Sequence, residues 1–128
     1  MSRNIAAFSM GGNDGRVVYP NVLRHSIDVK ELRNELKAFA DEDRIAVYHD
    51  GKGAVIDEIK EKEGVIQFVP GHFSKAGRAE ILVHSLTVGQ LKEKIKSLPD
   101  ETKVIGRDDG YSAAIFGVTK LAPNDDRA

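Results

Sequence analysis

Apolar residues recur along this chain with two different periods. After Asp28, Val29, Leu32, Leu36 and Phe39 follow at spacings of three, four and three, and after Thr87 the residues Val88, Leu91, Ile95 and Leu98 repeat those spacings. Lysine, glutamate and arginine fill the positions between, so each run is one apolar stripe on a helix. Asp28 with Glu31, and Thr87 with Gln90, have capping-box spacing: the cap side chain accepts an N–H of the first turn and the later residue reaches back. The pattern predicts helices over 28–39 and 87–98. Pro99 lacks the N–H needed to extend the second and disfavours helical geometry at Leu98. The first has no such stop and is expected to run to Ala40.

The other period is that of strands. RIAVYHD and KVIGRDD follow the two helices, Asp50-Gly51 and Asp109-Gly110 close them, and AVIDEI and AAIFGV come next. Aspartate-glycine between apolar runs favours a tight hairpin, because glycine takes positive φ at little steric cost. GVIQFVPG reads as a further strand, joined to the one before it by the charged turn KEKEG, and EILV as the strand that opens the second copy. NIAAFSM and RVVY are expected to form an N-terminal hairpin across GGNDG.

The two helix-and-hairpin stretches correspond without a gap at an offset of 59 residues, 25 to 84. Identities include His25/His84, Ser26/Ser85, Leu32/Leu91, Lys37/Lys96, Asp41/Asp100, Gly51/Gly110 and Ile56/Ile115, and the match extends upstream through Val22/Ile81 and Leu23/Leu82. Matched cap and turn residues point to internal duplication. The expected fold is α+β, a single domain over 1–122. Its two tandem β-α-β-β repeats, about 22–59 and 81–118, share an antiparallel or mixed sheet with two helices on one face. Residues 123–128 are expected to be a flexible tail. One such unit has too little apolar surface to offset its ordering entropy comfortably, so two are expected to share a core.

The second copy, LTVGQLKEKIKSLPDETKVIGRDDGYSAAIFGV, resembles a short module of small uncharacterised bacteriophage and prophage proteins. The shared features are a threonine cap, a helix with paired leucines, an LP-D stop, a valine strand, an acidic glycine turn and a closing apolar strand. The first copy matches more loosely, with Ala40 where the module has proline. The resemblance implies an origin among phage accessory proteins and carries no catalytic residue with it.

Charge and composition narrow the classes. Lysine and arginine number 19 against 20 aspartates and glutamates, so no large field attracts a polyanion, and nucleic-acid binding is not indicated. With no cysteine there is no thiolate nucleophile and no cysteine-ligated zinc. No window approaches membrane-span length, and the apolar stretch near the N-terminus is too short for a signal-peptide core. The expectation is a cytoplasmic protein with no cofactor.

Catalysis or metal binding needs a constellation of groups rather than single residues. His25 and His84 are equivalent, each followed by serine just before a helix cap, and histidine is the commonest metal ligand and the natural titrating group near neutrality. Asp28, however, is better used as a helix cap, Thr87 replaces it in the second copy, and no nucleophile elbow exists. The acidic pairs Asp41/Glu42 and Asp100/Glu101 lack calcium-loop spacing and read as polar turns. Two glycine-rich loops lie outside the repeats, GGNDGR and PGHFSKAGR. Neither has the lysine-serine/threonine step of a phosphate cradle. The second loop concentrates His72, Phe73, Lys75 and Arg78, and the RDDGY turn adds Arg107 and Tyr111; these six are the candidate binding residues. The function expected is non-enzymatic binding of a host protein, as an inhibitor or anti-defence factor. Small-ligand or nucleotide sequestration is the alternative, a small enzyme fits less well, and a homo-oligomer is compatible with either binding role.

Overall fold

The computed structural model describes residues 4–11, 19–49, 52–62, 64–70, 78–108 and 111–121. Along them run β1 (Ile5–Met10), α1 (Tyr19–His25), α2 (Val29–Leu36), β2 (Arg44–His49), β3 (Lys52–Lys62), β4 (Val65–Pro70), α3 (Arg78–His84), α4 (Val88–Ile95), β5 (Lys103–Asp108) and β6 (Tyr111–Leu121). The fold is mixed α+β.

Each strand has a neighbour on both sides. β1 pairs in parallel with β2, Ile5 opposite Arg44, and β4 in parallel with β5, Val65 opposite Lys103. The pairs β2–β3, β3–β4, β5–β6 and β6–β1 are antiparallel. The six-stranded mixed sheet therefore closes into a barrel, which leaves the described strands without a free edge. The 11-residue strands β3 and β6 are each shared between two partners. β3 pairs with β2 through Val55 and with β4 from Ile56 onward, and its register shifts between Ile56 and Glu58. β6 changes partner in the same way, with a shift where Met10 faces Ile115 and Ser9 faces Gly117. Asp57 and Phe116 are the extra residues of these two bulges, and a bulge sharpens the bend that closure needs.

The barrel is filled by Phe8, Phe68, Ile45, Val104, Ile56, Ile115, Ala54 and Ala113, all buried. Phe8 and Phe68 meet edge to face with centroids 5.0 Å apart, a geometry worth about 0.5–1.5 kcal/mol beyond the area it buries. Val29, Leu32 and Leu36 of α2 and Val88, Leu91 and Ile95 of α4 belong to the same cluster. Outside the barrel, Val22 and Leu23 of α1 pack on Val65, Ile105 and Ala114. Ile81 and Leu82 of α3 pack on Ile5, Ala7, Ala46 and Leu121.

Several expectations change. The segments around Val22 and EILV are helices α1 and α3, not strands, so each of the two matched stretches runs helix-helix-strand-strand, with a strand ahead of it, β1 or β4. A seven-residue helix spans only two turns, too few for its period to show against apolar, β-branched composition. Among the described residues four helices accompany a closed barrel, in place of two on one face of an open sheet. NIAAFSM supplies β1, whose two sides are occupied by β2 and β6; of its expected hairpin partner RVVY, Arg16 to Val18 lie outside the described residues and Tyr19 opens α1. KEKEG is mostly strand: β3 continues to Lys62, which faces Val65 directly. Both long helices end early, at Leu36 and Ile95, before Pro99 is reached. Residues 122–128, including the expected tail, lie outside the described residues.

Candidate functional site

The serines of the two histidine-serine pairs are structural braces. Ser26 Oγ donates to the Val22 carbonyl at 2.7 Å and accepts the Ile115 N–H at 3.3 Å. Ser85 Oγ donates to the Ile45 carbonyl and accepts the Ile56 N–H at 2.9 Å. Each hydroxyl proton is thus given to a backbone carbonyl, and both serines are buried. His25 and His84 end α1 and α3 and are exposed. Asp28 caps α2, accepting the Glu31 N–H at 2.9 Å. Thr87 and Gln90 make both bonds of a capping box, at 2.8 and 3.1 Å. Among the described residues no group of three or more histidines and carboxylates could hold a metal ion.

The acidic turns have partners that the sequence did not reveal. Asp100 pairs with Arg33 of α2, whose Nη2 also donates to the carbonyls of Ile95 and Leu98 at 2.9 and 2.7 Å. Arg33 therefore caps the end of α4. Lys92 of α4, 59 positions on, reaches Asp41 at 3.0 Å. The first N–H groups of α2 donate to carbonyls of the opposite turn, Val29 to Thr102 and Lys30 to Asp100. Those of α4 do likewise, Val88 to Asp43 and Gly89 to Asp41. A Cβ at Gly89 would lie 3.2 Å from the Asp41 Cβ, so glycine permits this approach. Asp43 is buried and accepts the N–H groups of Asn4 and Ala40 at 3.1 and 2.9 Å.

Two clefts open beside these helices. One, of about 330 Å³, is lined by Arg33, Leu36, Lys92, Glu93, Ile95 and Lys96. The other, of about 670 Å³, includes Lys30, Glu31, Arg33, Lys37 and Asp100. Arg33 and Lys92 already serve carboxylates and a helix end, and carboxylates line both clefts beside the remaining lysines, Glu93 in the first and Asp28, Glu31 and Asp100 in the second. The clefts do not focus charge of one sign.

Strand direction defines a more distinctive surface. β1, β2, β4 and β5 all run the same way, with β3 and β6 opposed. Their C-terminal ends lead, at one end of the barrel, into segments 12–18, 50–51, 71–77 and 109–110. These are the two glycine-rich loops and the two aspartate-glycine turns. His72, Phe73 and Lys75 lie outside the described residues; Arg78 opens α3 and Tyr111 opens β6. Arg107 Nη1 donates to Ser112 Oγ at 3.0 Å across the hairpin, so its guanidinium is partly engaged.

One residue absent from the sequence reading stands out here. Phe116 is 55% exposed because the β6 bulge turns it outward. Its ring lies over Gly11 at the start of the first glycine-rich loop, where a Cβ would come within 2.9 Å of the ring. Gly117, immediately after it, was the available signal, since glycine in a strand often marks a bulge. No protein-family model, curated protein or solved structure matches the chain.

Proposed function

We propose that this is a non-enzymatic binding protein that engages a host protein through the loop-bearing end of its barrel. The observation that carries this reading is the common direction of β1, β2, β4 and β5, which brings to one end the strand termini that precede both glycine-rich segments and both aspartate-glycine pairs. The other end is occupied by the starts of β2 and β5 and the short β3–β4 connection. The proposed contact set is His72, Phe73, Lys75, Arg78, Arg107, Tyr111 and Phe116. An exposed aromatic supplies apolar contact area, and an arginine can grip a carboxylate bidentately. Rigid barrel walls carrying variable loops are a common way to position such groups.

The same reading holds that the chain is one domain built by internal duplication, encoded by a phage or prophage and acting in the host cytoplasm as an inhibitor or anti-defence factor. The correspondence of α1 with α3, α2 with α4, β2 with β5 and β3 with β6 at one offset of 59 residues supports the duplication. Helices long and apolar enough to cross a membrane do not occur among the described residues.

Affinity capture from a bacterial host lysate tests the proposal if two baits are compared. Wild-type protein is expected to retain a partner that Phe116→Ala with Tyr111→Ala loses, while a control bait changed at the opposite end, Glu61→Ala with Lys62→Ala, retains it. Loss with the control bait alone would reverse the assignment of the surface.

A further inference from the structure

We infer that the chain can pair with a second copy of itself by exchanging halves, with residues 4–62 of one copy completing a barrel with residues 64–121 of the other. The basis is that each half wraps its helices around the opposite half. α1 covers Val65, Ile105 and Ala114, and α3 covers Ile5, Ala7 and Ala46. The residues between helices cross over as well. Ile27 donates to the Ile115 carbonyl and accepts from Val104; Leu86 donates to the Ile56 carbonyl and accepts from Ile45. Arg44 donates to the Ser85 carbonyl and Lys103 to that of Ser26. The reciprocal pairs Arg33–Asp100 and Lys92–Asp41 extend the pattern, as do the strand pairs β3–β4 and β6–β1.

Against this network the covalent link is slight. Lys62 and Val65 face each other, so two residues join the halves, and Gly64 takes a φ of 75°. A pair of chains that opened this turn would recover every other contact in the partner barrel, the condition under which exchange of an element is a low-cost route to a dimer. In one chain the short tether keeps the complementary half at high effective concentration. The wild-type protein is therefore monomeric when dilute, and removing the turn shifts the balance.

The test deletes Glu63 and Gly64 from the full-length chain, so that β3 cannot reverse into β4. The expected product elutes at twice the wild-type mass, with the wild-type far-UV circular dichroism spectrum and a cooperative melt. A folded monomer overturns the inference. Should the deletion variant fail to fold, a second full-length variant decides, with a protease site inserted between Glu63 and Gly64 and then cleaved. Its pieces are expected to stay associated with an unchanged spectrum and, after warming with an isotope-labelled cleaved sample, to give mixed-label pairs in native mass spectrometry. Pieces that separate, or that never mix, overturn it.

Discussion

Leu32 and Leu91 have no exposed surface, and their side chains belong to the cluster that fills the barrel. Replacing either by alanine is expected to cost about 2–5 kcal/mol, the usual range when a buried leucine leaves a cavity. Glu35 and Lys94 are exposed on the same helices, so alanine there should move the denaturant midpoint far less. Equal losses at Leu32 and Glu35 would contradict the helix phase. Ser85 gives a second test at this scale. Ser85→Ala removes the acceptor of the buried Ile56 N–H, and an unsatisfied buried group costs about 1–3 kcal/mol; a midpoint shift below about 0.5 kcal/mol would deny the brace its role. The apolar stripe was legible because helix period depends on near neighbours. The role of the serines was not, since the Ile56 N–H lies 29 positions from Ser85 and the Ile115 N–H 89 positions from Ser26.

The caps show how local chemistry survives in the finished fold. Both were readable, because cap and acceptor lie three residues apart, and both are made. Thr87→Ala is expected to cost about 1 kcal/mol, with Thr87→Ser retaining most of the stability; an effect larger for serine than for alanine would mean that the hydroxyl is not the reason for threonine here. The hairpins were equally legible, since Asp108 faces Tyr111 and His49 faces Lys52 across two-residue connections. The failures at this scale were α1 and α3. Val22, Leu23, Ile81 and Leu82 look like strand residues, and they become helix because they dock on barrel walls formed by the other half. The bulges at Asp57 and Phe116 were hidden for a related reason. They arise where β3 and β6 change partner, and pairing partners are not written locally in the sequence.

Closure of the barrel is a property of the whole molecule, set by parallel pairs such as Ile5 with Arg44 and Val65 with Lys103. Hydrophobic alternation could indicate strands but not which strands adjoin, and the common direction of β1, β2, β4 and β5 follows only from that order. The loop PGHFSKAGR was legible as a candidate because it departs from every pattern around it. The departure of the strands before it, before GGNDGR and before Asp109-Gly110 from one end of the barrel was not. If the loop-bearing end is the contact surface and the barrel folds without its side chains, then binding and stability separate there. The most direct measurement is a titration of the captured partner with Phe73→Ala/Lys75→Ala/Arg78→Ala, alongside thermal melts of the same samples. The account predicts an unchanged melting temperature and association weakened at least tenfold, about 1.4 kcal/mol. Wild-type affinity in that variant would contradict it.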